Sequence, residues 1–366
     1  MRHFGHMKVA LVYDRVNKWG GAERVLLALH EIFKDAPLYT SVYLKKSARW
    51  AKLFSVKTSF LEKIPFAKSS HEYFATLMPI AFEQFSFDEY DVVISVTSES
   101  AKGIITKPDT VHICYCLTPT RYLWSGYDEY FHNPLLKLFS RPAVSYLRKW
   151  DSIASVRPDI MIAISKEVQR RIYTYYKRKA DIIYPPLPFD DDLKPLSIKK
   201  GAYFLVVSRL VPYKRIDLAI KACNILSLPL VIVGVGSEKK KLEKIAGTTI
   251  RFVGSLTDEE LVEYYKGCKG LIFPGREDFG LTVLEAQRYG KPVIAFKRGG
   301  ALETIRDGKT GLFFYPQTVK ALTHALIQFR KKRFSPESCK EQAMIFSKKH
   351  FQENILRLVK EIENKR

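Results

Sequence analysis

The chain lacks any run of about 20 apolar residues, the length that crosses a bilayer as a helix, so no membrane-spanning helix is expected. Cysteine is scarce. Cys114, Cys116, Cys223, Cys268 and Cys339 are odd in number, and their spacing fits neither a CxxC zinc pair nor a disulfide framework. Reduced thiols in a cytosol are expected, and no structural metal site. Met1–Met7 carries Arg2, His3 and His6 without an apolar stretch and does not read as a signal peptide. Internal repeats and low-complexity tracts are absent, which excludes solenoid and fibrous architectures.

Acid is in the minority. Asp plus Glu number 38 against 60 Lys plus Arg, a net charge of +22 that favours polyanionic partners such as nucleotide phosphates, nucleic acid or an anionic membrane surface. The excess is spread over both halves of the chain, unlike a basic tail tuned to DNA. With 46% hydrophobic and 27% charged residues the chain reads as globular, and 366 residues suit two domains better than one core.

Short apolar runs alternate with helical patterns. Strands are expected at 9–13, 91–96, 111–116, 160–164, 204–208, 230–233, 250–253, 270–273 and 292–295. Helices are expected at 22–33, 167–176, 218–226, 238–246, 258–266 and 281–289, with a last amphipathic segment at 353–362. Several strands are apolar throughout, as strands covered on both faces must be. Strand and helix in alternation predict doubly wound parallel sheets. Pro185, Pro186 and Pro188 interrupt the pattern and mark a linker running to Lys200. The expected organisation is a Rossmann-like domain over 1–187, a second over 188–350, and a terminal helix over 351–366 that packs back on the first. Ligands of such folds bind at the carboxyl ends of the strands, here in a cleft between the two domains.

The segment Pro274-Gly-Arg-Glu-Asp-Phe-Gly-Leu-Thr-Val-Leu-Glu-Ala286 follows a buried strand and opens a helix near Gly280. The amides of Phe279, Gly280, Leu281 and Thr282 point out of that helix N-terminus and suit a phosphate. Glu277 stands before the helix and Glu285 inside it. Carboxylates beside an anion site repel phosphate, so their better use is accepting sugar hydroxyls, Glu285 from a ribose and Glu277 from a transferred sugar. A capping acid plus a solvated helix acid explains the pair equally simply. Arg209 and Lys214, in the loop after the strand at 204–208, can neutralise a diphosphate leaving group or serve as surface cations. Gly234-Val-Gly236 ends another strand without the third glycine of a dinucleotide fingerprint. Val253, in Phe252-Val-Gly254, offers backbone groups to a base edge.

Arg209 with Lys214, Glu277 with Glu285, and Gly299-Gly-Ala-Leu-Glu303 resemble the donor half of GT-B glycosyltransferases, specifically the retaining enzymes of family 4. The first half is similar too, in Gly20-Gly-Ala-Glu-Arg24, Met78-Pro79, Tyr90-Asp-Val-Val-Ile-Ser95 and Tyr115-Cys-Leu-Thr-Pro-Thr-Arg-Tyr-Leu-Trp124. The set looks most like the bacterial and archaeal mannosyltransferases of O-antigen and related polysaccharide assembly. The resemblance implies two Rossmann-like domains facing across a cleft, and transfer of a hexose, mannose from GDP-mannose, to a glycan or lipid-linked glycan. It assigns Gly20 and Gly21 to a loop over the donor diphosphate, and Arg209 and Lys214 to the diphosphate itself. Glu277 would contact the sugar, with backbone contacts from Phe279, Gly280 and Leu281, and Glu285 would hold the ribose.

No metal or other cofactor is implied, because cations and helix dipole stand in for Mg²⁺, so Asp190-Asp-Asp192 is not read as a metal motif. Leu117 replaces the histidine that many relatives carry beside the donor sugar; either a neighbour such as Thr118 or Arg121, on the acceptor and sugar side, compensates, or activity is reduced, or the sugar differs. Ser95-Val-Thr-Ser-Glu99 also departs from the Ser-Ser-His type of run, which alters the expected acceptor wall.

Between Lys45 and Lys68 basic and aromatic residues interleave, as on a surface that meets anionic headgroups, or as a helix with aromatics in the core and lysines in water. A cytoplasmic protein is expected, at the inner face of the membrane in the former case. Other nucleotide-sugar donors with UDP or ADP remain open. So do an epimerase or phosphorylase of the same fold and a non-catalytic glycan-binding relative. A nucleic-acid-binding protein would leave the paired acids unexplained, and no nucleic acid is expected.

Overall fold

The computed structural model describes residues 7–131, 133–187 and 201–365. The chain divides into two compact units, Met1–Pro186 with Phe351–Arg366, and Leu187–His350. Each is built on one sheet in which every strand pair is parallel.

The first unit contains β1 (Val9–Tyr13), α1 (Gly21–Ile32), β2 (Leu38–Thr40), β3 (Val56–Thr58), α2 (Met78–Glu83), β4 (Val92–Thr97) and β5 (Val111–Cys116). It continues through α3 (Tyr127–Tyr130), α4 (Pro134–Ala154), β6 (Ile160–Ala163), α5 (Lys166–Tyr176) and β7 (Asp181–Ile182). The strand order is β3-β2-β1-β4-β5-β6-β7, which reverses direction of winding between β1 and β4. β4 is buried at every position, which requires cover on both faces, and its sequence is apolar apart from Ser95 and Thr97. Asn133 caps α4 by accepting from the amides of Leu135 and Leu136, and Pro134 fits the first turn because it needs no acceptor there.

The second unit runs β8 (Phe204–Val207), α6 (Ile216–Ile225), β9 (Leu230–Val233), α7 (Lys239–Ile245), β10 (Ile250–Gly254), α8 (Asp258–Gly267) and β11 (Gly270–Phe273). It ends with α9 (Leu281–Arg288), β12 (Val293–Phe296), α10 (Ala301–Thr304), β13 (Gly311–Phe314), α11 (Val319–Lys331), α12 (Pro336–Met344) and α13 (Lys348–Glu363), whose last residues belong to the first unit. The order β10-β9-β8-β11-β12-β13 reverses between β8 and β11. β9, β11 and β12 are buried throughout. A complete capping box, Thr257 with Glu260, starts α8 where the sequence pattern places it.

From residue 351 onward, α13 packs on first-unit residues. The Phe351 ring lies 5.8 Å from Tyr115, and Gln352 donates to the Ala28 carbonyl and to Glu31. In the linker, Leu187 is buried and its amide donates to the Phe346 carbonyl. The remainder from Pro188 to Lys200, including Asp190-Asp-Asp192, lies outside the described residues.

The Lys45–Lys68 stretch does not form one amphipathic helix. It holds two short 3-10 turns, Arg49–Leu53 and Phe60–Lys63, around β3. Its aromatics divide: Phe54 is buried against His30, Trp50 donates its indole N–H to the Lys18 carbonyl, Phe60 packs on the core, and Phe66 is exposed. Among the described residues no helix is long and apolar enough to cross a membrane.

Candidate active site

In a doubly wound sheet the loops at the carboxyl ends of the two strands flanking the reversal splay apart, leaving room for a ligand. In the second unit those loops follow β8 and β11, and they carry Arg209, Lys214 and Glu277. The loops touch through backbone, since a Cβ on Gly275 would come within 3.0 Å of the Lys214 Cα. The Lys214 ammonium pairs with Glu277 Oε1, with both side chains largely withdrawn from solvent. Lys214 also stands 5.2 Å from the centroid of the Tyr213 ring, whose hydroxyl accepts from the exposed Arg209 guanidinium at 2.7 Å. Three of the predicted residues are therefore linked at one place: two cations joined through Tyr213, and a carboxylate neutralised by one of them.

α9 begins beside this group. Gly280 caps it with φ 91°, ψ 61°, a left-handed conformation that L side chains avoid, and a Cβ there would press within 2.9 Å of the Phe273 ring. The amides of Leu281 and Thr282 open the first turn and have no acceptor inside the helix. Phe279 contributes backbone only, because its ring is buried 5.5 Å from Phe346. Glu285 lies on the inner side of α9, where its Oε2 accepts from the Tyr265 hydroxyl at 2.5 Å. The second shoulder of the site comes from the end of β12. The amide of Gly300 donates to the Glu277 carbonyl at 3.0 Å, and a Cβ on Gly300 would fall 2.3 Å from the Phe279 Cα. The Gly-Gly pair thus fixes the Glu277–Phe279 loop by backbone-to-backbone contact.

Two donor-side candidates sit differently. The Gly234 amide donates to the Gly254 carbonyl at 2.7 Å, so it is occupied within the sheet. Val253 is half-buried in β10, which is separated from β8 by β9.

The first unit carries its own polar centre at the reversal between β1 and β4, around residues that sequence reasoning missed. Asp14 follows β1, and its buried carboxylate accepts from Thr97 Oγ1 and from the amides of Ser98, Glu99 and Ala101. Burial, followed by the Glu99 charge, raises its pKa against the pull of the Ala101 and Ser98 amides. Arg15 answers Glu99 at 2.5 Å. An acid directly after the first predicted strand was the signal available for Asp14.

Deeper, Lys102 and Asp151 form a buried ion pair at 2.5 Å. Asp151 also accepts from Thr120 Oγ1, the Trp124 indole and the Tyr176 hydroxyl, at 2.7–2.8 Å. Burial works to lower the Lys102 pKa, but the Asp151 charge outweighs it and the ammonium is held charged. This pair anchors the loop after β5 that bears Thr118 and Arg121. Thr118 is buried and accepts from Arg171, and the Arg121 carbonyl accepts from the Gly126 amide. Leu117 is half-buried, with its amide bound to the Thr97 carbonyl. Gly20 and Gly21 open α1, where a Cβ on Gly20 would approach the buried Glu23 carboxylate to 3.2 Å. Ser95 Oγ lies 2.8 Å from His112 Nε2 inside the sheet, so this serine is a core residue.

Comparison with known proteins agrees with this architecture. Residues 189–345 match the model of the family described as glycosyl transferases group 1. The chain is similar to O-antigen chain mannosyltransferase C of Escherichia coli, at 30% identity over 34% of this chain and 36% of the relative. It is also similar to the D-rhamnosyltransferase WbpZ of Pseudomonas aeruginosa, at 30% identity over 60% of each. The matches thus span less than two thirds of either relative's length. Among solved structures, Anabaena Alr3699/HepE in complex with UDP and glucose superposes with a TM-score of 0.69, covering 97% of this chain and 100% of the other at 20% identity. The family match covers the second unit, and the chain as a whole shares the fold of this solved structure.

Proposed function

We propose that the protein is a retaining glycosyltransferase that moves a hexose, mannose from GDP-mannose, to a glycan or lipid-linked glycan. The observation that carries this reading is the Lys214–Glu277 pair beside the α9 N-terminus, with Arg209 one tyrosine away. Two cations and a helix N-terminus suit a diphosphate. A carboxylate already neutralised by Lys214 does not repel that diphosphate, and its oxygens can accept sugar hydroxyls.

In the proposed step the bond between the anomeric carbon and the diphosphate oxygen breaks, and the acceptor oxygen bonds to that carbon on the same face. The acceptor proton passes to the departing diphosphate, whose charge Arg209 and Lys214 stabilise. These cations do the work a divalent metal does elsewhere. Glu285 holds the ribose with Tyr265 fixing its carboxylate. Mannose is supported by the motif resemblance and by the mannosyltransferase relative. The rhamnosyltransferase and the UDP complex keep other donors in the comparison.

A thermal-shift panel of GDP-mannose, UDP-glucose and ADP-glucose tests the reading. Stabilisation by GDP-mannose above the other two is expected. A larger shift with UDP-glucose would reassign the donor, and no shift with any of them would remove the donor site.

A further inference from the structure

Trp19 stands in the segment that joins β1 to α1 and is 43% exposed. Its ring is nevertheless held in one orientation. The Arg24 guanidinium lies 5.0 Å from the ring centroid, and the Trp50 ring stands 6.5 Å away at 48°. Trp50 spends its indole N–H on the Lys18 carbonyl at 2.8 Å, and Ser47 Oγ donates to the Asn17 carbonyl at 2.8 Å. The segment that follows β2 therefore fixes the backbone on which Trp19 stands. These contacts put the ring on the β2 flank of β1, away from the reversal between β1 and β4. An aromatic ring that is both fixed and left in water suits a ligand with a flat apolar face.

The charge around the ring narrows the ligand. Between Asp35 and Glu62 the chain has not one Asp or Glu. Lys45, Lys46, Arg49 and Lys52 fall in that stretch and are exposed, and among the described residues none of the four has an acidic partner. The contacts of Ser47 and Trp50 bring this cationic run against Asn17–Trp19. A pyranose offers C–H groups on its face and hydroxyls at its rim, and a carboxylate or phosphate on it supplies the charge these cations lack. An acyl chain needs a broader apolar surface than one ring set among lysines. Single-stranded nucleic acid stacks on successive platforms along a groove, whereas here the second indole backs the first.

We propose that Trp19 with Lys45, Lys46 and Arg49 forms a binding surface for an acidic glycan. One sugar ring stacks on the indole, and the anionic groups of the chain pair with the cations. Because the surface lies apart from the reversal that holds Asp14, it grips the glycan beyond the sugar that reacts. The proposal rests on the transferase reading for the class of ligand, a glycan, and adds to it the charge that ligand carries.

The test is calorimetric titration of the full chain with hexagalacturonate, with a phosphomannan oligosaccharide and with neutral maltohexaose. At least one acidic oligosaccharide should bind about tenfold or more tighter than maltohexaose, with an affinity that falls as salt is added. Whichever acidic probe binds tighter identifies the anionic group as carboxylate or phosphate. Trp19→Ala and Lys45→Gln/Lys46→Gln, each checked for an intact melting transition, should weaken that binding about fivefold or more, and Trp19→Phe should keep most of it. Four results overturn the proposal: no binding of either acidic probe, equal binding of maltohexaose, unchanged affinity in both weakened variants, or tighter binding of tripolyphosphate, single-stranded DNA or phosphatidylglycerol vesicles than of both acidic probes. The GDP-mannose thermal shift is measured on the same samples. A chain that binds the acidic glycan without that shift counts against the transferase reading alone, and one that shifts without binding the glycan counts against the Trp19 surface alone.

Discussion

Lys214 and Glu277 form an ion pair at the mouth of α9, bringing together the loops that follow β8 and β11. Neither residue is a conspicuous feature of a chain with 60 cations and 38 acids. Together they mark where the second sheet reverses its winding, and they set the charge of the proposed donor site close to neutral before the diphosphate and the Arg209 guanidinium are counted.

Glu277→Gln keeps the size of the side chain and removes its charge. With GDP-mannose as donor, turnover should fall by about 10²–10³, the cost of losing one preorganised charge. Donor affinity should hold or tighten, because Lys214 is released to the diphosphate. Steady-state kinetics that show a raised donor KM with unchanged turnover would place Glu277 outside the chemistry.

Gly300→Ala forces a Cβ to within 2.3 Å of the Phe279 backbone. The loop must give way, at a cost of about 1–3 kcal/mol typical of overpacking. Urea unfolding should report that loss, and calorimetry should report weaker GDP binding. Unchanged nucleotide affinity in a destabilised variant would confine Gly300 to the fold.

The buried pair in the first unit predicts strong coupling. Lys102→Met alone strands Asp151 and should cost about 3–5 kcal/mol. Adding Asp151→Asn should cost less than the two singles summed, by more than about 1 kcal/mol in a double-mutant cycle. Additive values would mean that the ion pair does not hold the loop after β5.

His112 gives a pH dependence of known sign. Burial, then the charges of Arg178 and Arg157, lower its pKa from 6.5 to about 3 in the folded chain. The folded state keeps the ring neutral, so its contribution is complete above pH 6.5 and is lost as pH falls from 6.5 toward 3. The slope is at most about 1.4 kcal/mol per pH unit. The stability advantage of the wild type over His112→Gln should therefore shrink between pH 6.5 and 4 in denaturant titrations. A constant difference would mean that the ring protonates freely in the fold.

The legible parts of this fold were those in which one residue pattern determines the local environment. β1, β5, β9 and β11 are covered on both faces and, His112 apart, lack charged residues, and their predicted bounds coincide with the observed ones. β3 is a short edge strand, Val-Lys-Thr, and β7 has two residues, so neither produces a period long enough to read. β13 was hidden by its opening glycine. α4 escaped because Pro134 and Pro142 punctuate it and its apolar residues fall on both faces, which blurs the single stripe that marks a surface helix.

In the site, the glycines and acids of the segment from Pro274 to Ala286 were visible because a strand-to-helix turn demands them. The partners were not. That Glu277 takes Lys214, that Glu285 takes Tyr265, and that the Gly234 amide is spent on Gly254 are tertiary facts with no local signature. The Asp14 and Lys102–Asp151 centres belong to the same class, since their donors come from elements far apart in the chain.

The most direct measurement is calorimetric titration of GDP-mannose into the wild-type chain and into Arg209→Ala and Lys214→Ala, each checked for an intact melting transition. Saturable binding by the wild type, weakened tenfold or more by either substitution, is the expected result. Equal affinity in all three, or no heat of binding in the wild type, would show that these cations do not hold a donor diphosphate.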